Sequence, residues 1–372
     1  MEFSLNTEQM SLRESVARYC RERCGFDARK RSAASSGSAT GSYWQDFARY
    51  GWLGAALPQD CGGAGGTAVE DAIVMEEFGR SLVLEPFLHC AVLPGQLVHA
   101  AANDGQRRDL LPPLLSGDLV LAVALDAADA GPTGRFEGVP GAATSGAEYI
   151  LNGGGALVVA GSRADKLIVP ACTSEGLTLF LVDGLARGLQ RSAFRTIDGG
   201  EAADIRLEEV RVAQSAVLGS IGGAEAALQS ALEHTIVAMC AEAVGAMAGL
   251  LETTRDYLRQ RRQYGAALSS YQALQHRMAD MFAELELSRS MLYAALQAML
   301  GSQPGARRKT VSAAKAYVGG CGKSLGESAI QLHGAVGMAD ENKVGHYFRR
   351  LLVTAGSLGG EDYHLERFAL SG

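Results

Sequence analysis

The segment Arg261-Arg262-Gln263-Tyr264-Gly265, followed by Tyr271-Gln272 and His276-Arg277-Met278-Ala279-Asp280, sets a guanidinium, an aromatic ring and a carboxamide at the bend between two helical patterns. These groups suit a dinucleotide. A guanidinium grips pyrophosphate in a forked, charge-assisted geometry, an aromatic face stacks on a base, and a carboxamide both donates and accepts. An ordinary helical hairpin with solvated arginines would use the same residue types. The rest of the chain decides between the two.

The chain has 372 residues, 47% of them hydrophobic, enough to bury substantial cores in several modules. A net charge of -7 argues against a general affinity for nucleic acid or acidic membrane surfaces, although a local cluster such as Arg259 to Arg262 can still bind phosphate. The cysteines Cys20, Cys24, Cys61, Cys90, Cys172, Cys240 and Cys321 form no Cys-x-x-Cys pair and no zinc spacing, so no metal is expected and the thiols read as buried. Glu2 and a polar first decade do not resemble a secretory signal. The longest apolar run, Ile236 to Leu251, is interrupted by Glu242 and too short to span a bilayer. A soluble, reducing, cytoplasmic setting without membrane insertion is the expectation.

Up to about residue 117 the pattern is helical. Leu12, Val16 and Tyr19 share a stripe, and Asp71 to Leu82 and Gln106 to Leu115 repeat the period between Gly-rich or Pro-containing breaks. Residues 118–218 then read as a small antiparallel β module. Its strand candidates are Leu119 to Leu125, Lys166 to Val169, Leu177 to Val182 and Ala203 to Leu207, and an Asn152-Gly153 turn signal precedes Ala156-Leu-Val-Val. From residue 219 to 372 the helical period returns. Leu274, Met278, Met281, Leu285, Ser288, Leu292, Ala295 and Met299 lay one seam along a packed helix, and Val311, Ala314, Val318, Cys321 and Leu325 lay another beyond the Gly301-Ser-Gln-Pro-Gly break. Gly319, Gly322 and Gly326 leave room there for close approach.

Taken together, the Arg261 segment, Phe3-Ser-Leu-Asn-Thr-Glu-Gln, Asp60-Cys-Gly-Gly-Ala-Gly-Gly, Glu76-Glu77-Phe78-Gly79-Arg80 and Gln331-Leu-His-Gly-Ala-Val-Gly-Met resemble the acyl-CoA dehydrogenase family over nearly the whole chain. Within that family, Cys240-Ala-Glu-Ala-Val-Gly-Ala-Met and Lys343-Val-Gly-His-Tyr-Phe are similar to the small-subunit type of pimeloyl-CoA dehydrogenase. The resemblance implies an α+β fold: an N-terminal all-α domain (1–117), a middle antiparallel β domain (118–218) and a C-terminal four-helix bundle (219–372). It also implies FAD held between the β module and the bundle, with the adenine end covered by a neighbouring subunit, hence a homo- or hetero-oligomer.

By that resemblance Arg261 contacts the FAD pyrophosphate, Tyr264 packs near the adenine side and Gln272 hydrogen-bonds the dinucleotide. Gln331, His333 and Gly334 line a second FAD-contacting loop, with Ala335 where the family usually has another glycine. The implied reaction removes the α-proton of an acyl-CoA thioester while the β-hydrogen leaves as hydride, giving a 2-enoyl-CoA and sending electrons to an electron-transfer flavoprotein.

The base departs from the pattern. The common family position, a Glu before a Gly, falls on Leu358 before Gly359, and the alternative position falls on Thr235, with Ile236 as its neighbour. Neither accepts a proton. Nearby carboxylates are Glu233, Glu361 and Asp362, of which Glu361 is the better placed; Glu233 lies about 200° round the helix from Thr235. The β module departs too, since Leu125-Asp126-Ala127 and Leu157-Val158-Val159 stand where the family carries Thr-Glu-Pro and Trp-Ile-Thr/Ser contacts to the flavin ring. Three functions follow as expectations: an FAD-dependent acyl-CoA dehydrogenase; a base-lacking subunit of a heteromeric dehydrogenase; and, on fold alone, another flavin reaction.

Overall fold

The computed structural model describes residues 4–34, 42–125, 131, 133, 136, 138–301 and 303–371. In chain order the helices are α1 (Thr7–Arg23), α2 (Phe26–Ala34), α3 (Ser42–Arg49), α4 (Ala68–Ser81), α5 (Leu93–Ala101), α6 (Asp104–Leu115), α7 (Glu225–Gln260), α8 (Gln272–Leu300), α9 (Pro304–His333), α10 (Lys343–Gly356) and α11 (Glu361–Leu370). The strands are β1 (Leu121–Val123), β2 (Gly141–Ser145), β3 (Glu148–Val159), β4 (Lys166–Thr173), β5 (Gly176–Asp183), β6 (Leu189–Arg195), β7 (Glu201–Ala213), β8 (Val217–Leu218), β9 (Arg262–Gln263) and β10 (Ala266–Ala267). The order of helices, sheet and helices is that of the expected α+β fold.

The chain folds as two compact units. One comprises Met1–Ala34, Ala68–Val83 and Ile236–Gly372. Asn6 opens α1 with a reciprocal cap: its side chain accepts from the Gln9 backbone while the Gln9 side chain accepts from the Asn6 backbone. Helix α1 packs on α4, and α9 lies among α8, α10 and α11. The predicted seams turn inward, with Met281, Leu285, Ser288, Leu292 and Ala295 buried on α8 and Val311, Ala314, Val318 and Leu325 on α9, while Leu274, Met278, Met299 and Cys321 are half-buried. Gly319, Gly322 and Gly326 face α10, where added β-carbons would meet Ala355, Leu351 and Phe348. The Glu-Glu-Phe-Gly-Arg segment has a packing cause as well: a β-carbon at Gly79 would stand 1.9 Å from the Glu242 carbonyl oxygen, and one at Gly245 would stand 1.8 Å from that of Glu76. Helices α4 and α7 therefore touch backbone to backbone.

The second unit comprises Ser35–Thr67 and Leu84–Thr235. Its sheet has the order β6-β7-β3-β2-β4-β5-β8, with β1 joined to β4. Most pairings are antiparallel, while β1 and β2 each meet β4 in parallel. Leu151, Leu167, Val169, Phe180, Ile205 and Leu207 fill its core.

One local expectation is corrected. Asn152-Gly153 does not turn the chain; β3 runs on through it, with register shifts between Leu151 and Gly153 and between Gly155 and Val158. The Asn152 carboxamide accepts from the Glu209 backbone N–H at 2.8 Å, and Gly153 takes φ +136°, so the pair makes a bulge. The reversal comes earlier, between Ser145 and Glu148, at Gly146 with φ +64°. Strands β2 and β6, the latter an edge strand with little buried surface, were not anticipated.

By length and apolarity α7 meets the test for a membrane-crossing helix, yet 94% of its most apolar window is buried within the protein. That makes it a core helix in this fold.

Candidate cofactor and substrate site

Helix α7 ends at Gln260 and the chain doubles back through β9 and β10 before α8. Gln263 pairs with Ala266 and Arg262 with Ala267, leaving Tyr264 and Gly265 as a two-residue turn. Both have positive φ, +53° and +83°, the requirement of a mirror-image hairpin turn. Glycine adopts that region freely; a tyrosine there is strained by about 1–3 kcal/mol. The surroundings hold it: the Tyr271 hydroxyl donates to the Gln263 carbonyl at 3.0 Å, and the Gln275 carboxamide donates to Ser269 at 2.8 Å. The Tyr264 ring is 94% exposed, and Arg261 and Gln272 are exposed with it. Among the described residues no carboxylate pairs with Arg261. A guanidinium without a counter-ion beside an uncovered aromatic ring, on a braced backbone, suits an anionic dinucleotide.

The second loop follows α9. Gly334 has φ +63° and ψ -148°, a region open only to glycine, and a β-carbon there would meet nothing within 4 Å. The glycine thus leaves a bare backbone facing open space. His333 is buried, its Nδ1 lying 2.9 Å from the Ala329 carbonyl and its ring stacked on Tyr257 at 4.2 Å. The Tyr257 hydroxyl in turn donates to the His333 carbonyl at 3.4 Å. Burial lowers the pKa of His333 below the ordinary value, so the ring is neutral near pH 7, and Nδ1–H is the donor. Tyr257 lies on the last turn of α7, its carbonyl accepting from the Arg261 backbone N–H at 2.8 Å, so this stack ties the Gly334 loop to the helix end that leads into the hairpin. Gln331 is exposed and lines a cleft of about 400 Å³ with Arg277, Asp280, Met281, Glu284 and Glu327. Arg277 and Asp280 belong to the His-x-x-Ala-Asp motif, so that motif and Gln331 meet across α8 and α9.

The third element is the loop between α10 and α11. Leu358 has φ +53° and Gly359 φ +99°; a β-carbon on Gly359 would stand 2.3 Å from the Tyr363 ring. Lys315, buried on α9, donates to the carbonyls of Thr354 and Ala355 at 2.9 Å each and of Gly359 at 3.1 Å. His364, on α11, stands with Nε2 2.9 Å from the Leu358 carbonyl, and its Nδ1 is buried without a partner. A neutral imidazole protonated at Nε2 fits both facts. Burial, then the Lys315 ammonium, hold the His364 pKa down to about 3, and burial brings Lys315 down to about 8. Neither residue was singled out from sequence. The signal was thin: one lysine flanked by alanines on a helix that carries other lysines and arginines.

Of the carboxylates near the base positions, Glu361 is exposed at the first turn of α11, its carboxylate 3.2 Å from where a β-carbon on Gly320 of α9 would sit; Asp362 is exposed beside it. Glu233 is buried in α7, as is Thr235, whose hydroxyl donates to the Ala231 carbonyl at 2.8 Å. In the sheet, Leu157 is 45% exposed with φ +56° and Val158 is buried, so neither an indole nor a hydroxyl stands on those residues. Leu125 is buried; Asp126 and Ala127 lie outside the described residues.

The residues present fit FAD: a free guanidinium for pyrophosphate, a bare glycine backbone for close approach, and an uncovered ring for a base. Fold and site together define a flavin-dependent oxidoreductase built from helices, a β sheet and helices. Residues 6–118 match the acyl-CoA dehydrogenase N-terminal domain and residues 221–370 the acyl-CoA dehydrogenase C-terminal domain. The chain belongs to the acyl-CoA dehydrogenase family, and its cofactor is FAD. It is 27% identical over 360 residues to mitochondrial isovaleryl-CoA dehydrogenase of Pongo abelii, covering 93% of this chain and 84% of that one. It is 27% identical over 314 residues to subunit CarC of the caffeyl-CoA reductase-Etf complex of Acetobacterium woodii, covering 82% of each. Among solved structures it is similar to the ChsE4-ChsE5 complex from Mycobacterium tuberculosis, at 25% identity and a TM-score of 0.89 over 99% of this chain and 98% of that one.

Proposed function

We propose that this chain works in the FAD-dependent oxidation of the Cα–Cβ bond of an acyl-CoA thioester to the 2-enoyl-CoA, with electrons leaving to an electron-transfer flavoprotein. Bound FAD supplies the hydride acceptor. Arg261 holds the pyrophosphate, Tyr264 packs near the adenine side, Gln272 hydrogen-bonds the dinucleotide, and the Gly334 loop lets backbone approach the cofactor. The free guanidinium on a braced hairpin carries this reading. Similarity to a chain of a caffeyl-CoA reductase-Etf complex supports the electron acceptor.

A specific observation favours one form of it. The loop where the family resemblance puts Leu358 in place of the base is fixed by Lys315 and His364. Such a loop does not offer a carboxylate by a small shift. We therefore infer that the base comes from a partner chain, and that this protein is the base-lacking subunit of a heteromeric dehydrogenase. Similarity to the ChsE4-ChsE5 complex supports the inference. All seven cysteines are free thiols, which supports a cytoplasmic setting.

The test is an anaerobic titration of the yellow protein with a panel of acyl-CoA thioesters. Bleaching only after a co-purifying partner is added supports the base-lacking subunit. Bleaching by the chain alone that vanishes in Glu361→Gln makes Glu361 the base and overturns that form. Absence of bleaching under both conditions overturns the dehydrogenase reading.

A further inference from the structure

We propose that Lys315 is the positioning residue of the Leu358–Gly359 loop, setting how far that loop stands toward the acyl thioester; the proposal rests on the acyl-CoA dehydrogenase reading above. Helix α10 ends at Gly356, yet the Gly359 carbonyl, three residues further on, returns to the same ammonium that binds Thr354 and Ala355. Three carbonyls converging on one atom fix the path of the chain between them. His364 fixes a fourth, that of Leu358. Lys315 is 3% exposed, and among the described residues no carboxylate pairs with it. Its charge is spent on carbonyl oxygens at a helix C-terminus, where a cation is favoured.

A neutral amine has two N–H donors in place of the ammonium's three. Deprotonation therefore releases one of the three carbonyls, and burial puts this change at about pH 8. The groups facing Lys315 do not share that titration. Cys240, on α7, is pushed up to about 12 by burial and stays a thiol, while His364, on α11, stays neutral. Arg367, also on α11 and acting on His364, stays charged. From α10, Lys315 binds the carbonyls of Thr354 and Ala355, and Glu361 lies against α9 at Gly320.

The experiment uses the protein as purified with its FAD and any partner. Acyl-CoA affinity is read from the flavin absorbance change at about pH 6.5 to about pH 9.5, alongside flavin content, for the wild type, Lys315→Met and Lys315→Arg. The wild type should bind acyl-CoA about fivefold more weakly above the step than below it, at constant flavin content. Lys315→Met should bind weakly at every pH, and Lys315→Arg, which does not titrate, should show no step. Folded Lys315→Met with wild-type affinity and the same step overturns the role. If Lys315→Met does not fold, Lys315→Arg decides: a step retained there overturns it, a step lost supports it. A wild type that holds FAD and binds acyl-CoA without a step overturns the positioning role alone. A wild type that takes up neither FAD nor acyl-CoA overturns the dehydrogenase reading with it.

Discussion

Leu358→Glu should give the chain its own base. The backbone already holds φ +53° with leucine in place, so glutamate adds no new strain at that position. The carbonyls of Leu358 and Gly359 remain bound to His364 and Lys315, because those contacts involve main-chain atoms only. The stability change comes from trading a half-buried apolar side chain for a carboxylate, about 1 kcal/mol, or a Tm about 2 °C lower. The gain in rate should be that of a positioned general base, about 10²- to 10⁴-fold. The assay is anaerobic stopped-flow absorbance of the flavin after mixing with the best acyl-CoA found for the wild type. The variant alone should bleach at that accelerated rate, whereas the wild type should need a partner. A variant that keeps FAD and binds acyl-CoA but bleaches no faster than wild type refutes the assignment of this loop as the base position.

Arg261→Ala should lose a charge-assisted contact to pyrophosphate of about 1.5–3 kcal/mol, weakening FAD by about 10- to 150-fold. Equilibrium dialysis against FAD measures it, and an unchanged dissociation constant would sink the cofactor role of the hairpin. His364→Gln should raise acid stability. Below the ordinary pKa of 6.5 the unfolded chain takes up a proton that the native imidazole, held near 3, refuses, so the wild type loses stability as pH falls through that window. The loss reaches about 5 kcal/mol at the bottom of the window. Glutamine keeps an N–H donor for Leu358 without that proton uptake, and the acid-unfolding midpoint should move to lower pH by circular dichroism.

The α8 seam could be read from Leu274 to Met299 because burial there follows the helical period residue by residue. Asn152-Gly153 misled for a physical reason: a mirror-image turn and a bulge both ask for Asn and Gly at positive φ, and only the partner strand decides between them. Edge strand β6 was missed because Gln190, Ser192, Ala193, Phe194 and Arg195 remain largely outside, leaving no alternation to detect. At the candidate site, Arg261, Tyr264 and Gln272 were named from the family resemblance, and the structure leaves all three exposed at or beside one hairpin. His333 proved to be turned inward against Tyr257, a fact that depends on a contact 76 residues away in sequence. Lys315 was invisible for the same cause: its partners lie 39 to 44 residues further along, and a single lysine gives no sign of what carbonyls will gather round it.

The backbone contact of α4 with α7 restricts how this chain can diverge. A single methyl at Gly79 or Gly245 would drive one carbonyl oxygen into a carbon, and a methyl at Gly249 would strike both the Tyr347 hydroxyl and the Arg80 carbonyl. These three sites are closed to every other residue type unless the helices separate. Laboratory evolution of this chain should therefore find tolerated changes in the exposed loops, and stall wherever a library randomises this crossing.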